Sequence, residues 1–293
     1  MELIEGYAFI LIVLAALLIG LAFLTWPYRT RAGGYYHLGL LGATAIYMLF
    51  SGLEMLATET DVKILYSQIS YVGLVCIAPL LYLFIHEFIK EAKQPRAMSA
   101  VLWSMPAIIL VLVWTNRYHG LIWSGFRSGA PGSNLLTYER GVAWYANALY
   151  MSGVILLAGL ELYWARLRLA RVYQHQANVL LLAIVFPCLA GMVHVLRLEM
   201  LPGLDLAPFG FMFTSIILSW GTYRLGLFQI VPIAREWLLD HMDEGLLVLG
   251  PDKRILDTND AVQRIFGAPG PIQSLAVSGN FPLPRSRGRQ HNS

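Results

Sequence analysis

The chain has 293 residues, of which 57% are apolar and only 13% are charged, with a formal net charge of +3. Soluble domains carry roughly 25% charged residues, so the composition excludes a disordered chain and argues against a soluble globular domain. The small positive charge does not indicate nucleic-acid binding, because the basic residues stand in short clusters between long apolar blocks. Together with a mean hydropathy of +0.58, these features predict a protein that crosses a membrane several times.

Long apolar blocks recur along the chain from its beginning to residue 229. A helix needs about 20 residues to cross the hydrocarbon core, and in lipid every backbone polar group must be satisfied within its own segment. Seven blocks meet this requirement: 5–26, 35–56, 64–89, 98–115, 142–165, 177–198 and 207–229. The first block follows acidic rather than basic residues and has no small-residue cleavage site after it, so we expect a retained span and not a signal peptide. The predicted fold is an all-α membrane bundle of seven transmembrane helices.

The Lys and Arg residues are distributed unevenly between alternate loops. The loops 27–34, 90–97 and 166–176 together carry eight basic residues, whereas the other loops carry four over a longer total length. Cytoplasmic loops of membrane proteins are enriched in Lys and Arg. We therefore expect the N-terminus outside and the C-terminus in the cytoplasm, and seven spans require those opposite sides.

The longest outer loop, 116–141, mixes aromatic residues with Gly, Pro, Ser and Asn. This composition predicts a structured cap or binding loop rather than a loose tether. His119 and Trp123 are four residues apart and would share a face if this part of the loop formed a helical turn. Two interpretations stay open, a ligand-facing pair and an aromatic belt at the depth of the lipid headgroups.

Several ionisable residues lie near the outer ends of the spans, where burial is costly and side chains usually face the bundle interior. They are Glu54, His194 and Arg197 within spans and Asp205 in the loop that follows. Together with His119 they are candidates to line a polar cavity that opens to the exterior. The alternative is a purely structural role, such as a Glu54–Arg197 ion pair or snorkelling of the charged groups to the interface.

Nothing in the sequence predicts a metal site or a cofactor. Cys76 and Cys188 fall near the middle of spans and are expected to be small buried hydrophobes. His86 begins a motif that resembles a zinc-peptidase helix, but Lys90 stands where the second zinc-binding histidine would be needed. A retinal Schiff base is excluded because the block 207–229 contains no lysine.

The region after the last span changes character. Residues 231–242 have apolar residues at helical spacing and predict a signalling helix that pairs with a second copy of itself. Two short β-prone runs, Leu246–Leu249 and Arg254–Asp257, flank a turn signal within 243–267. The tail 268–293 is rich in Pro, Gly, Ser and Arg, and we expect it to be disordered.

Four stretches carry a resemblance to a known family. They are NRYHGLIWSGF with His119 and Trp123, LTYERGVAWYANALY with Tyr138, Gly141 and Trp144, the part of the sixth block from Gln176 to Pro187, and LDLAPFGFMFTSIILSWGTYRLGLFQIVPIARE with Asp205, Pro208, Phe228, Pro232, Ala234 and Arg235. Through them the chain resembles the N-terminal seven-transmembrane input module of bacterial sensor histidine kinases, also found on diguanylate cyclases, followed by the start of a PAS domain. The similarity covers about residues 5–267, and its junction between the last span and the PAS start is the most specific element.

This resemblance implies a multi-pass sensor in the bacterial plasma membrane and leaves its ligand unspecified. Family members continue through a whole PAS domain into a kinase or cyclase domain, whereas the pattern here ends near residue 267. We therefore expect a short, incomplete PAS-like α/β extension and no catalytic activity in this chain. We also expect the module to form a homodimer and to serve a cytoplasmic kinase or PAS partner.

The expected function is to bind a small-molecule signal near the outer ends of the spans and to transmit it through Pro232, Arg235 and Trp237. The alternative is a small-solute transporter or channel in which Glu54, His194 and Arg197 line the permeation path. Measurements of solute flux through the reconstituted protein would separate the two classes.

Overall fold

The computed structural model describes residues 2–90, 94–128, 134–169, 171–195 and 205–224, and beyond them residues 244–245, 247–249, 255–258 and 261–262. The chain divides into two compact units, Met1–Ile230 and Val231–Ser293. The membrane-embedded helices all belong to the first unit.

Long helices dominate the first unit, and one of them is followed directly by a 3-10 turn, Trp26–Tyr28. In chain order the helices are α1 Glu2–Thr25, α2 Gly34–Leu56, α3 Thr60–Lys90, α4 Arg96–Trp114, the short α5 Asn116–His119, α6 Val142–Arg166, α7 Arg171–Val195 and α8 Ala207–Arg224. Within the described residues, six of these helices are long and apolar enough to span a membrane, and α8 adds a shorter apolar stretch, Ala207–Gly221. These helices fall on the seven predicted blocks, and the predicted helical membrane bundle is confirmed.

The third span begins four residues earlier than its hydropathy indicates. The predicted block started at residue 64, but α3 starts at Thr60. Its first turn carries Asp61, whose negative charge is favourable at the positive end of the helix dipole. The predicted block leaves this turn out because Lys63 lowers its hydropathy. In the structure, however, Lys63 is buried and only 4% exposed.

Helix α3 lies at the centre of the packing. It contacts α2, α4 and α6. Helix α8 contacts α7, α2 and α1. Six helices therefore close into a ring in the order α1, α2, α3, α6, α7 and α8, and α4 lies against α3 and α6. The contact between α2 and α3 is close because Gly73 has no side chain. A Cβ atom there would lie 2.3 Å from the carbonyl oxygen of Ala43. The main core fills the space between α2, α3, α6, α7 and α8.

The loop between α4 and α6 folds as a β-hairpin. Strand β1, Trp123–Ser128, pairs antiparallel with β2, Leu136–Arg140, and the register shifts between Trp123 and Gly125. The described part of this loop is therefore structured, as predicted, and its role as a cap or binding loop stays a prediction. The expectation of a shared helix face for His119 and Trp123 is wrong, because the helical turn α5 ends at His119 and Gly120 follows with φ of 61°. A left-handed glycine redirects the chain there, and Trp123 starts a strand.

The second unit contains a small antiparallel pair of strands. Strand β3, Leu247–Leu249, pairs with β4, Ile255–Thr258, which agrees with the two short β-prone runs in the sequence. The predicted signalling helix 231–242 and the predicted tail 268–293 lie outside the described residues. The assignment of this unit as the start of a PAS domain stays a prediction.

Candidate functional site

The β-hairpin is fastened onto the turn between α2 and α3, and we call this part of the bundle the hairpin end. The ammonium group of Lys63 donates to the backbone oxygens of Glu54 (3.0 Å) and Asn134 (2.8 Å). The side-chain amide of Asn134 donates to the backbone oxygens of Met55 (3.1 Å) and Ala57 (2.7 Å). These bonds satisfy carbonyl groups at the C-terminus of α2, which have no partner within their own helix.

Glu54, a predicted site residue, is held by the hairpin through Tyr138. The phenol of Tyr138 donates to the carboxylate of Glu54 (3.1 Å) and accepts from the hydroxyl of Ser67 (2.8 Å). Burial and the neighbouring charge of Glu54 raise the pKa of the Tyr138 phenol above its ordinary value. The phenol therefore stays neutral and keeps donating at any physiological pH. This chain of bonds links α2, α3 and β2.

Trp123, the second predicted site residue, is a core residue of the hairpin end. Its side chain is 5% exposed and lies edge-on to Tyr71 of α3, with ring centroids 5.5 Å apart. Tyr138 contacts its other side at 5.3 Å. The buried side chain of Asn116 fixes the backbone before the strand, because its oxygen accepts from the amides of Ile122 (2.9 Å) and Trp123 (3.1 Å). The indole thus packs the hairpin against α3.

His119 is exposed and stabilises the turn on which it lies. Its Nδ1 accepts from the amide of Leu121 (3.0 Å), and its Nε2 is hydrogen-bonded to the hydroxyl of Thr115 (3.0 Å). The hydroxyl of Thr115 also donates to the carbonyl of Val111, so the neutral imidazole carries its proton on Nε2. Both ring nitrogens of His119 are hydrogen-bonded to residues fewer than five positions away in the chain. The sequence pattern did not indicate these local bonds.

Asp205 fastens the start of α8 to two other helices. One carboxylate oxygen accepts from the amide of Ala207 (2.9 Å), and the other accepts from the phenol of Tyr47 in α2 (3.1 Å). The phenol of Tyr7 in α1 donates to the backbone oxygen of Asp205. Asp205 therefore joins the start of α8 to α1 and α2.

The structure brings together two of the six predicted site residues, Glu54 and Trp123, through Tyr138. Asp205 is bonded to Tyr7 and Tyr47 of the neighbouring helices. His119 lies apart from them on its own turn. His194 is in the last turn of α7, but its side chain lies outside the described residues, as does all of Arg197. The expected Glu54–Arg197 pair is therefore untested.

Sequence reasoning missed the residues that connect these positions, namely Lys63, Asn134, Tyr7, Tyr47 and Tyr71. Tyrosines near the ends of apolar blocks have the same pattern as an interfacial belt, so their hydrogen bonds have no sequence signal. Lys63 had one usable signal, since it was the only basic residue in the short segment 57–63, which also carries Glu59 and Asp61.

A second polar cluster lies at the opposite end of the bundle. His86 of α3 is buried, and its Nδ1 lies 2.9 Å from the carboxylate of Glu161 in α6. Lys90 contacts the same carboxylate oxygen at 3.1 Å, and the ring of Tyr82 stacks on His86 at 5.9 Å. Glu161, interpreted from sequence as an interfacial anchor, thus joins two helices. Among the described residues, no three His, Cys, Asp or Glu side chains are placed to hold a metal ion.

Two further contacts join α8 to α2 along their length. Buried Thr44 and Ser215 are hydrogen-bonded through their hydroxyls at 3.4 Å. Closer to the Glu161 end, the hydroxyl of Ser219 is hydrogen-bonded to Nε2 of the buried His37 at 3.2 Å. Polar contacts of this kind hold helices together where lipid supplies no hydrophobic driving force between them.

A comparison with known protein families identifies the family to which this bundle belongs. The sequence profile of the N-terminal 7TM region of histidine kinase matches residues 10–232, which include most of α1 and the whole of the helices from α2 to α8. The chain belongs to this family. No curated protein and no solved structure matches the chain. Family membership and the apolar helices make it a multi-pass membrane protein and a sensory input module of the histidine-kinase type.

Proposed function

We propose that this module receives a signal at the hairpin end and passes it through α8 to a cytoplasmic output region. One observation carries the proposal. Asp205 caps α8 and accepts a hydrogen bond from Tyr47, so the helix that leads toward residues 231–242 is fastened at the hairpin end. A ligand that moved the hairpin would act on α8 through α2, because α2 carries both Glu54, which is bonded to Tyr138, and Tyr47, which is bonded to Asp205.

The charge pattern supports an orientation with the hairpin end outside. Arg31, Lys90, Arg96 and Arg168 are exposed at the opposite end of the bundle, as expected of a cytoplasmic face. The output in this proposal is a PAS domain and a kinase, and the membrane module itself transfers no phosphoryl group. The module acts as a homodimer, and residues 231–242 form its signalling helix.

The mechanism requires two arrangements of α8 whose balance the ligand changes. A ligand shifts such an equilibrium only by the difference in its affinity for the two states, typically about 1–3 kcal/mol. Pro232, Arg235 and Trp237 follow α8 in the chain, and in this proposal they pass its displacement to the paired helices. The small molecule that serves as the signal is to be identified by screening.

Changing the helical phase of the linker tests this route. We would fuse residues 1–242 to an intact kinase domain and insert two residues between Arg235 and Trp237. At about 100° per residue the insertion rotates everything after it by roughly 200°, and kinase output should change sharply. A seven-residue insertion restores the phase within about 20° and should return the original output. Equal output from all three fusions would refute transmission through this helix.

The transporter alternative is tested separately in liposomes that contain the purified chain. If solute flux occurs without ligand and His194→Ala abolishes it, the chain conducts solute through the predicted path. A sensor of the proposed kind gives no such flux while its kinase fusion still responds.

A further inference from the structure

The turn between α2 and α3 has a groove on its outer surface. The groove is an open depression of about 460 Å³, and half-buried Leu53 and Leu56 of α2 and Val62 and Tyr66 of α3 form its apolar floor. The ring of Phe50 lies 5.9 Å from that of Tyr66, beside the groove.

The rim of the groove is polar and acidic. Thr58 and Glu59 line it, and both are exposed in the turn beyond the ends of the two helices. Asp61 is exposed two residues further on, whereas the nearby cation Lys63 is buried and donates to backbone oxygens. The charge at the rim is therefore negative, and the ring of Tyr66 offers a face of the kind that attracts ammonium groups.

We propose that this groove binds a water-soluble amine with an aromatic or short apolar body. The body lies on Leu56, Val62 and Tyr66, and the ammonium group lies against the carboxylate of Glu59. An anionic ligand is repelled by the same carboxylate. The amine of a lipid headgroup offers the same ammonium group, and the lipid competition described below separates it from a water-soluble amine.

The position of the groove gives the bound amine a route to the rest of the module. The residues on its floor and rim flank Ala57, whose backbone oxygen accepts from Asn134 of the hairpin loop. An occupant that displaces the turn therefore acts on the contact that fastens the hairpin. This step rests on the proposed function, in which the hairpin end receives the signal, but binding itself does not.

Three fluorinated probes of nearly equal shape test the binding. They are 4-fluorophenethylamine, the neutral 2-(4-fluorophenyl)ethanol and the anionic 4-fluorophenylacetate. Each is titrated by fluorine NMR against the full chain in dodecyl maltoside micelles, with empty micelles as the blank. We expect the amine to bind about threefold more tightly than the alcohol, as an exposed ion pair allows, and the acetate to bind least.

Two variants that each remove one negative charge test whether the carboxylate of Glu59 causes the preference for the amine. Glu59→Gln should remove the preference for amine over alcohol, whereas Asp61→Asn removes an equal charge outside the groove and should leave that preference within about a factor of 1.5, since isolated exposed charges contribute little. Tyr66→Ala should weaken the amine and the alcohol together, because it removes part of the floor.

Three results would overturn the proposal: equal binding of amine and alcohol, equal effects of Glu59→Gln and Asp61→Asn, or displacement of the amine by added phosphatidylethanolamine, which would identify a lipid headgroup as the occupant. If the amine binds but the output of the kinase fusion does not change with linker insertions, the proposed function is refuted and the groove is not. Loss of amine binding with a fusion that responds to insertions would refute the groove alone.

Discussion

A single methyl group added at Gly73 should disrupt the contact between α2 and α3. The Cβ atom of Gly73→Ala would lie 2.3 Å from the backbone oxygen of Ala43 and 2.8 Å from the backbone nitrogen of Tyr47. Backbone atoms cannot rotate away, so the two helices must separate. Inserting a methyl group into a packed core costs about 1–3 kcal/mol, and replacing glycine by alanine inside a helix gains about 1 kcal/mol.

Gly42 of α2 provides the control, because a Cβ atom there would meet no heavy atom within 4 Å. Gly42→Ala has the same gain in helix propensity, so the difference between the two variants isolates the steric cost of about 1–3 kcal/mol. Both variants and the parent chain are unfolded with sodium dodecyl sulfate in mixed micelles and followed by tryptophan fluorescence. If Gly73→Ala unfolds at the same detergent fraction as Gly42→Ala, the close approach of α2 and α3 is wrong.

Further predictions concern the hairpin end. Tyr138→Phe should lower the free energy of unfolding by about 1–3 kcal/mol, because the half-buried carboxylate of Glu54 loses its donor; in the same detergent titration, an unchanged midpoint would contradict this. Asn116→Ala should speed hydrogen exchange at the amides of Ile122 and Trp123, which lose their acceptor, while Asn116→Asp keeps the acceptor and most of the protection. Because the pKa of Tyr138 is raised in the folded protein, its contribution to stability should be complete below about pH 10, the ordinary tyrosine value, and fall as the pH rises further. The chain has 15 tyrosines, so the absorbance is compared with that of Tyr138→Phe; phenolate absorbance that appears at pH 10 before unfolding and is lost in Tyr138→Phe would contradict the burial.

The spans could be predicted from sequence because lipid leaves the backbone no alternative to a helix. Their ends were less accurate where a polar first turn begins the helix, as at Thr60. The paired strands β3 and β4 were also predictable, because two β-prone runs flank a turn signal. The hairpin form of the loop 116–141 could not be predicted, because the hairpin depends on contacts such as that of Asn134 with Ala57, which is 77 residues away.

The candidate site was predictable only in its charged members. Glu54 and Asp205 were identified because ionisable groups near the ends of spans are costly. Their partners are tyrosines from other helices, Tyr138 and Tyr47, the latter 158 residues from Asp205. A tyrosine at the end of a span is common whatever its role, so its pairing is decided by helix packing alone. His119 was chosen for its four-residue spacing from Trp123, but its contacts are local.

The bonds between α8 and the rest of the bundle are of a strength that suits a switch. Asp205 holds the start of the helix, while Thr44–Ser215 and His37–Ser219 hold it further along. Hydrogen bonds between membrane helices contribute on average about 0.6 kcal/mol each, so these contacts together resist a shift of α8 by about 2 kcal/mol. Coupling free energies between distant sites are typically about 1–3 kcal/mol. In the proposed mechanism, a ligand at the hairpin end would need only an ordinary difference in affinity to move α8 along α2, whereas several buried ion pairs in the same interface would have fixed it.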